Sequence, residues 1–431
     1  MAATPPNPAA SPPAPGSDDP AGLPARRAAL RMLDAVLRRG EPLDQAAPPI
    51  LRGIERGDDR QLAIAIASEA LRWLADLDRL IDAATRQPLP HDAKARAVLQ
   101  LMLAQALRLG LPGHAVVATG LPLLQGGPRR LAHGVFSAVL REGTGLPAAP
   151  TLPAATALRW AQAWPGRTEA IAAGLAQAPP LDLTLRDPGE TAVWQERLGG
   201  TSLMPGHLRI ARAGSVEAMA GFAEGGWWVQ DLAASLPARL LGAGEGRRVL
   251  DLCAAPGGKT LQLAAAGWNV TALDKSARRL DLLRANLART GLAAEVIAAD
   301  VLRWEPEAPF DAVLVDAPCS ATGTCRRHPD VLHRSPALAE LVKLQSAMFD
   351  DAARWVVPGG QLVYAVCSME PEESEARAQS AAPGLVSSPI AADELPDGLV
   401  PTEQGWLRSD PGMMSDAGGI DGFFAARWTR E

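Results

Sequence analysis

Two cysteines in the C-terminal half of the chain stand where a side chain could do chemistry. Cys319 lies three residues after Asp316, and Cys367 directly follows the apolar run Tyr364 to Val366. Both follow short apolar segments typical of buried strands, so we expect the two thiols just past the carboxyl ends of strands, facing one cleft. A single cysteine at such a position is often core packing. A pair of them beside Asp316 favours a catalytic role.

Methylation of cytosine at carbon 5 is a reaction that such a pair could serve. Carbon 5 is too weak a nucleophile to attack a sulfonium methyl group directly, so a thiolate must first add at carbon 6. A carboxylic acid near ring nitrogen 3 would stabilise that adduct by sharing a proton, and Asp316 is the candidate. After the transfer a base removes the carbon 5 proton, and a second thiol could assist release. Position alone does not tell which cysteine attacks.

A turn of small residues upstream could hold a cofactor. The segment from Asp251 to Thr260 follows one predicted strand and opens a helix, which lets the backbone close on a ligand at the sheet edge. A G-x-G-x-x-G pattern is absent, and a Walker A motif would need glycine where Cys253 stands, so nicotinamide and nucleoside triphosphate sites are disfavoured. The candidate contacts to the cofactor are Cys253, Ala254, Ala255, Pro256, Gly257, Gly258 and Lys259. We assign Cys253 no catalytic role.

Two further carboxylates follow the next predicted strands. Asp274 ends one of them, where it could accept both ribose hydroxyls of a cofactor, and Asp300 follows the next, near the expected adenine. An aspartate at a strand end is often only a helix cap. The succession of Asp274 and Asp300 on adjacent strand ends favours cofactor binding for both.

These residues need a sheet to position them, and alternating strand and helix patterns after Leu240 predict a doubly wound, Rossmann-like domain. The predicted strands are Arg248 to Leu252, Asn269 to Leu273, Glu295 to Ala298, Asp311 to Val315, Gln361 to Val366 and Gly422 to Trp428. The predicted helices between them include Lys259 to Ala266, Ala277 to Thr290 and Pro336 to Val356.

The N-terminal third has helical periodicity. Leu30, Leu33 and Leu37 mark one face of a helix, and Ala97 to Leu109 is apolar nearly all round, as in a central buried helix. We expect a bundle of about five or more helices. The predicted divisions are a disordered tail at 1–24, the helical domain at 25–145, a small α/β connecting subdomain at 150–235 and the Rossmann-like domain at 236–431. In the connecting part we expect a helix at 155–164 and a strand at 181–186.

Composition bounds the class of protein. The chain has 431 residues, 47% hydrophobic and 21% charged, which is ordinary for a globular protein of two or three domains. Four cysteines without zinc-type pairing fit a reducing compartment, and we expect neither a bound metal nor a signal peptide. No run of about 18 apolar residues occurs, so we expect a cytoplasmic protein without a membrane span.

Charge does not by itself identify a nucleic-acid partner. The net charge is −6, whereas phosphate binding usually leaves a basic footprint. Local patches remain available, and Arg326, Arg327 and His328 lie a few residues beyond Cys319. We interpret these three as RNA contacts, to phosphate or to a flipped base, because they are so close to the cysteine. Trp227 and Trp228 could stack on a base, but packing between subdomains is favoured.

The motifs together resemble one family, the bacterial ribosomal RNA (cytosine-C5) methyltransferases of the RsmB/Sun (Fmu) type. The segments that carry the resemblance are 229–231, 251–260, 316–330, 364–368, 371–373 and 421–424. The helical region is similar to the NusB-like RNA-binding domain of this subgroup, notably at 113–115 and 136–141. The implied fold is an all-α NusB-like bundle, a small α/β linker subdomain and a C-terminal Rossmann-like, class I S-adenosylmethionine-dependent methyltransferase domain.

The resemblance also assigns roles. It implies that Cys367 attacks carbon 6, that Cys319 promotes release, and that the substrate is 16S rRNA. It implies an S-adenosyl-L-methionine site lined by residues 253–259 with Asp274, Asp300 and Asp316. The chain departs from the family pattern at Ser137, Cys325, Val366 and Ser374, which leaves room for altered substrate choice or weaker activity. We expect a monomer.

Three alternatives stay open at this stage. A DNA cytosine methyltransferase would use Cys319, the cysteine after Pro318, as its nucleophile. A tRNA could be the substrate in place of rRNA. A non-catalytic RNA-binding assembly factor could have kept the fold, although the two cysteines and the four aspartates argue against it.

Overall fold

The computed structural model describes residues 20–211, 214–335, 337–380 and 382–431. The chain divides into two compact units, Met1–Leu146 and Pro147–Glu431. Most of the predicted tail, residues 1–19, lies outside the described residues, and the first helix already begins at Leu23.

The described part of the first unit is helical. Its helices are α1 (Leu23–Arg39), α2 (Leu43–Leu51), α3 (Gly57–Arg72), α4 (Leu74–Ala83), α5 (Lys94–Leu107), α6 (Gly113–Gly120) and α7 (Gly126–Glu142). The predicted central helix is confirmed, because every side chain of α5 from Ala95 to Gln105 is buried. On α1, Leu30 and Leu33 are buried as predicted, whereas Leu37 in the last turn is 38% exposed. The expected bundle is therefore confirmed.

The second unit opens with a small three-stranded antiparallel sheet and its helices. The elements are α8 (Ala154–Ala163), α9 (Thr168–Gly174), β1 (Leu181–Leu185), α10 (Thr191–Leu198), β2 (His207–Ile210), β3 (Trp227–Val229) and α11 (Leu232–Arg239). The strand order is β2-β1-β3. The predicted helix and first strand are confirmed to within one residue. Trp227 and Trp228 are both buried, so packing is confirmed for them in preference to base stacking.

The rest of the unit is an eight-stranded sheet with helices. The elements are β4 (Arg248–Leu252), α12 (Gly258–Ala265), β5 (Asn269–Asp274), α13 (Ala277–Thr290), β6 (Glu295–Ala298), β7 (Phe310–Asp316), α14 (Leu338–Arg354), β8 (Val356–Val366), α15 (Glu375–Gln379), β9 (Leu385–Ser387), β10 (Leu407–Ser409) and β11 (Phe423–Arg430). All six predicted strands are present. The structure therefore confirms the Rossmann-like domain.

Sheet topology explains where a site can form. The order is β10-β11-β8-β7-β4-β5-β6, with β9 paired to β11. Strands β4 to β8 run parallel, and β11 is antiparallel to β8. The chain winds outward from β4 through β5 to β6, then crosses to β7 on the other side of β4. Ligands of such sheets bind at the carboxyl edge beside this reversal.

Alternation along the parallel strands builds a core on both faces of the sheet. Val249 and Leu314 belong to the cluster that contains the apolar side chains of α11, α12 and α13. Leu250 and Val313, their neighbours in sequence, belong to the cluster that contains α14. Burial of each such side chain contributes about 1.5–3 kcal/mol. The rigid sheet fixes the strand ends from which the site is built.

Two features bear on the class of the protein among the described residues: membrane-spanning helices and clusters of metal-ligating side chains. None of the helices in the described residues combines the length and apolarity that crossing a bilayer requires. Within the same residues, no group of three or more His, Cys, Asp or Glu side chains is arranged to hold a metal ion.

Candidate active site

The structure brings the two cysteines together. They follow the neighbouring strands β7 and β8, and their sulfur atoms are 3.5 Å apart. Backbone hydrogen bonds continue the pairing beyond the strands: Ala317 N–H donates to the Ala365 carbonyl and Gly323 N–H to the Cys367 carbonyl, each at 3.0 Å. We call residues 317–323 and 367–373 the two cysteine loops. The expected shared position of the thiols is observed.

The third thiol near this site has a different environment. Cys325, one of the departures from the family pattern, is fully buried and packs in a hydrophobic cluster with Trp160 and Leu332. Both Cys319 and Cys367 are only partly buried. A reagent or substrate in the cleft can therefore reach those two sulfur atoms more easily than that of Cys325.

Asp316 lies beside the thiols and is held by a lysine from the glycine-containing turn. Lys259 Nζ donates to Asp316 Oδ2 at 2.7 Å, and the Asp316 side chain keeps 30% of its surface exposed. Burial lowers the pKa of Lys259, but the adjacent Asp316 carboxylate and the nearby Cys367 outweigh it and raise the pKa overall. Lys259 is therefore a permanent positive charge that orients Asp316 at the cleft.

The two thiols of the pair are electrostatically distinct. The hydrogen bond to Cys367 raises the pKa of Cys319 well above its usual range, and burial and the negative charges of Cys367 and Glu373 add to the effect. A neutral Cys319 S–H can donate to the Cys367 sulfur. Cys319 is therefore the protonated partner in this hydrogen bond.

We call residues 253–258, between β4 and α12, the glycine turn. Cys253 and Gly257 have φ of +60° and +112°. A Cβ atom on Gly257 would stand 2.3 Å from Leu283 Cδ1, so this position requires glycine on both counts. Burial, with Asp316 and Asp274 nearby, raises the pKa of Cys253, which keeps its thiol neutral. The turn therefore presents backbone, and the assignment of no catalytic role to Cys253 stays a prediction.

A buried carboxyl group, that of Asp251, links the strand before the glycine turn to the helix after it. Asp251 is fully buried, and Thr260 Oγ1 donates to its Oδ2 at 2.5 Å. Burial raises the pKa of Asp251 to about 7. Among the described residues, Asp251 Oδ1 has no hydrogen-bond partner.

Asp274 and Asp300 lie at the carboxyl edge as predicted, and both cap backbone groups. Asp274 accepts hydrogen bonds from Ala255 N–H at 3.2 Å and Ser276 N–H at 2.8 Å. The exposed Asp300 accepts one from Leu302 N–H at 3.1 Å. Arg279 Nη1 also lies 3.5 Å from Asp274 Oδ2, so of its roughly four acceptor positions the buried Asp274 keeps about one for a ligand, and the exposed Asp300 keeps more. Capping and cofactor binding, which sequence reasoning treated as alternatives, are compatible here.

The three candidate RNA contacts behave differently from one another. Arg326 is 3% exposed and donates to the Gly418 carbonyl. The guanidinium of Arg327 pairs with Asp231 at 2.6 Å and Asp421 at 3.2 Å. Buried carboxylates need such compensation, because an uncompensated buried charge is strongly destabilising. The expectation of RNA contact is therefore revised for both arginines, which face inward to hold the loop, while His328 is exposed.

Sequence reasoning missed the group that joins the two cysteine loops. The carboxylate of Glu373 is fully buried and accepts hydrogen bonds from Ser320 and Ser368, the residues that follow Cys319 and Cys367. The repeated Cys-Ser pair was the available signal in the sequence. It shows that both loops carry a hydroxyl at the same place.

Comparisons with known proteins agree for both units. The family model described as 16S rRNA methyltransferase RsmB/F matches residues 238–428. The model of the NusB family matches residues 23–142.

Full-length relatives and solved structures extend the match. The chain is 35% identical to ribosomal RNA small subunit methyltransferase B of Pseudomonas putida, over 93% of this chain and 97% of that protein. It is 34% identical to the protein of the same name from Xanthomonas campestris, over 84% and 88% of the two chains. The crystal structure of PH0851 superposes with a TM-score of 0.71 at 21% identity and covers 95% of this chain and 99% of that one. A methyltransferase homologue from Pyrococcus horikoshii has a TM-score of 0.55 at 24% identity, with coverage of 68% and 98%.

Proposed function

Because the chain belongs to the 16S rRNA methyltransferase RsmB/F family, we propose that it methylates carbon 5 of a cytosine in 16S rRNA through a covalent adduct on Cys367. Cys319 assists release of the product, and S-adenosyl-L-methionine is the methyl donor. In this proposal residues 25–145 bind RNA, 150–235 connect, and 236–431 carry out catalysis. The enzyme acts as a monomer in the cytoplasm, where its substrate is.

One observation carries the proposal: two thiols 3.5 Å apart, at the ends of adjacent parallel strands, beside Asp316. Addition to carbon 6 needs a thiolate, and elimination needs a second group at the same place, close to carbon 5. A cleft with one thiol would supply the first requirement alone. The pair therefore fits covalent methylation at carbon 5 better than a direct transfer to nitrogen or oxygen, which needs no thiol.

Electrostatics support the order of roles. In the free protein the pKa of Cys319 is raised, and its S–H can donate to the sulfur of Cys367, the proposed nucleophile. The hydrogen bond and the negative charge that raise the pKa of Cys319 come largely from Cys367. Once the Cys367 sulfur is bonded to carbon 6, both influences disappear and the pKa of Cys319 falls. Formation of the adduct thus prepares Cys319 to act as the base that follows.

The steps balance with solvent as the source and sink of protons. The Cys367 thiolate adds to carbon 6, the ring takes up the electron pair, and ring nitrogen 3 takes a proton from solvent that a hydrogen bond to Asp316 holds in place. Lys259 keeps Asp316 oriented during this step. After carbon 5 has been methylated, Cys319, which by then has lost its own proton to solvent, accepts the carbon 5 proton as a thiolate, and ring nitrogen 3 gives its proton back to solvent. The ring double bond then re-forms and Cys367 leaves as a thiolate.

The residues around the glycine turn fit an adenosine-containing sulfonium donor. The turn offers backbone in a conformation with positive φ at Cys253 and Gly257, and a Cβ on Gly257 would close it. Asp274 and Asp300 would hold the ribose hydroxyls and the adenine. S-adenosyl-L-methionine supplies an electrophilic methyl group when bound. Calorimetric titration with S-adenosyl-L-methionine should show saturable binding, and its absence would favour a non-catalytic assembly factor.

The choice of RNA follows from the family. The relatives named above are small-subunit rRNA methyltransferases. The exposed His328, a few residues from Cys319, is the candidate contact to a flipped base.

Bisulfite sequencing tests the substrate and the reaction together. Ribosomal and transfer RNA from cells with and without the gene are converted and compared. We expect one 16S rRNA cytosine to lose its protection in the deletion strain and to regain it when the gene returns. A change confined to tRNA would overturn the choice of substrate, and unchanged 5-methylcytosine throughout would overturn the proposed reaction.

A further inference from the structure

We propose that Glu373 is a positioning residue whose buried carboxylate ties the two cysteine loops together and sets the separation of the two sulfur atoms. The inference rests on the proposed roles of Cys319 and Cys367. It concerns a residue that contacts neither sulfur directly and acts through the residue that follows each cysteine.

The loop of Cys319 is attached to Glu373 through Ser320. The Ser320 N–H donates to Glu373 Oε1 at 2.9 Å, and the Ser320 hydroxyl donates to Oε2 at 2.5 Å. Ser320 thus uses both its backbone and its side chain on one carboxylate. Rotation of the peptide that carries Cys319 would break both bonds at once.

The loop of Cys367 is attached to the same carboxylate through Ser368. Its hydroxyl donates to Glu373 Oε2 at 2.5 Å, and the oxygen atoms of Ser368 and Ser320 are 3.0 Å apart. Each sulfur is one residue away from a serine that is fixed on Glu373. The distance between the thiols is therefore governed by this carboxylate as well as by the sheet.

Glu373 is itself held from two other elements. Gln345 of α14 donates to Oε1 at 3.0 Å and also to the Pro318 carbonyl at 2.9 Å, one residue before Cys319. The hydroxyl of Tyr364 in β8 donates to the Glu373 carbonyl at 2.8 Å. Tyr364 thus fixes the backbone of Glu373, and movement of its carboxylate would disturb α14 and both cysteine loops.

Burial of a charge here is informative. The Glu373 carboxylate accepts hydrogen bonds from the Ser320 N–H, from the hydroxyls of Ser320 and Ser368 and from the Gln345 side chain. Apolar residues usually fill buried space at lower cost, because desolvation of a charge is unfavourable. We explain the carboxylate between the two loops by the separation of the two sulfur atoms that it sets.

Oxidative trapping tests the sulfur separation without any need for activity. Diamide takes two electrons and two protons from the two thiols, becomes the hydrazine and leaves a Cys319–Cys367 disulfide, which peptide mass spectrometry quantifies. We expect fast closure in the wild type and at least about tenfold slower closure in Glu373→Ala, with Glu373→Gln between them. The control is Glu372→Ala, an exposed neighbour that should match the wild type. Equal rates for Glu373→Ala and the wild type would overturn the proposal.

Kinetics supply the second measurement. A displacement of about 1 Å at a reacting group costs about 100-fold in rate, so kcat should fall by that order in Glu373→Ala while KM for S-adenosyl-L-methionine stays within about twofold. A fall in kcat that disappears when the rate is divided by the concentration of enzyme able to bind S-adenosyl-L-methionine would indicate general unfolding and contradict a positioning role.

Single-loop variants keep the test decisive if Glu373→Ala does not fold. Ser320→Ala loosens the loop of Cys319 and should raise the fraction of enzyme trapped on RNA, because release slows. Ser368→Ala loosens the loop of Cys367 and should lower that fraction, because attack slows. The same change in both variants would overturn the proposal. A wild type that closes its disulfide as expected but makes no 5-methylcytosine would refute the proposed function and leave the role of Glu373 standing.

Discussion

The glycine turn after β4 and the two cysteine loops after β7 and β8 leave the same edge of the sheet, but they are built differently. The turn consists of small residues whose backbone is exposed to a ligand, with positive φ at Cys253 and Gly257. The cysteine loops place reactive side chains above a buried hydrogen-bond network centred on Glu373. The glycine turn offers backbone N–H and C=O groups to a ligand, whereas the cysteine loops offer reactive side chains.

This difference predicts different consequences of substitution. Replacement of a reactive side chain in a cysteine loop, Cys319 or Cys367, should remove a chemical step and lower kcat, while binding of the cofactor persists. A changed residue in the glycine turn should alter the backbone path and weaken cofactor binding, while the chemistry of bound substrate persists. The two regions are therefore separable by the kinetic parameter that each one controls.

The largest effect is expected at Cys367. Cys367→Ala should abolish methyl transfer, since loss of a group that forms the covalent intermediate costs on the order of 10⁶-fold in a well-studied enzyme. Cys319→Ala should still form the adduct and should accumulate enzyme linked to RNA. Methyl incorporation from labelled S-adenosyl-L-methionine and denaturing gels of the RNA complex provide the measurements.

Binding of S-adenosyl-L-methionine, unchanged in both cysteine variants, serves as the control. If the RNA-linked species vanishes in Cys319→Ala and persists in Cys367→Ala, the roles are reversed, as in the DNA cytosine methyltransferases.

Asp316 comes next in expected effect. Asp316→Asn preserves the shape and a contact to Lys259 but removes the group that shares a proton with ring nitrogen 3. General acid or base groups contribute about 10²–10⁴-fold, so we expect kcat to fall within that range. Single-turnover kinetics with saturating cofactor measure the step. A loss confined to KM for the cofactor would instead assign Asp316 to the glycine turn's function.

Sequence reasoning succeeded where the pattern is local. The strands β4 to β8 each contain a short apolar segment, and the residues at their carboxyl ends necessarily share one edge of a parallel sheet. The strand pattern alone therefore predicts that Asp274, Asp316, Cys319 and Cys367 lie at one edge. The glycine turn was predictable for the same reason.

What sequence reasoning missed depends on contacts between distant segments. Arg327 resembles a solvated RNA contact until Asp231 and Asp421, almost a hundred residues away on either side, are found against it. Glu373 resembles an ordinary acidic residue at a helix start until both serines are found on it. Strands β2 and β3 are short, and β2 lies among glycines, so periodicity did not mark them.

A smaller effect is expected in the glycine turn. Gly257→Ala introduces a Cβ at φ +112° and within 2.3 Å of Leu283. Such strain is worth about 1–3 kcal/mol. A shift of the turn that relieves this strain should weaken binding of S-adenosyl-L-methionine about tenfold. The rate of methyl transfer from bound cofactor should change little.

Calorimetry of cofactor binding checks the Gly257→Ala prediction. Gly291→Ala is the matched control, since Gly291 has φ +66° with open space around it at the end of α13. It should cost stability without affecting the cofactor. A fall in kcat at unchanged affinity in Gly257→Ala would break the distinction between the two regions.

The smallest effect on activity is expected at Asp251, next to the glycine turn, where the main effect is on the pH dependence of stability. Burial raises its pKa in the folded protein to about 7, against an ordinary value of about 3.9 in the unfolded chain. Between about pH 4 and pH 7 the unfolded chain therefore ionises at Asp251 while the folded protein does not. The free energy of unfolding falls as pH rises through this window, by up to about 1.4 kcal/mol per pH unit, and levels off above pH 7.

Asp251→Asn removes this titration, so its free energy of unfolding should decline less steeply from pH 4 to pH 7 than that of the wild type. Asp421, whose pKa is also raised to about 7 by burial, titrates in both proteins and leaves the difference between them intact. Urea denaturation at several pH values gives the two slopes, with the exposed Asp281→Asn as control. Parallel slopes would show that Asp251 is ionised in the folded protein. The shape of the glycine turn would then depend on a charged Asp251 side chain, and the view that the turn acts through its backbone alone would be wrong.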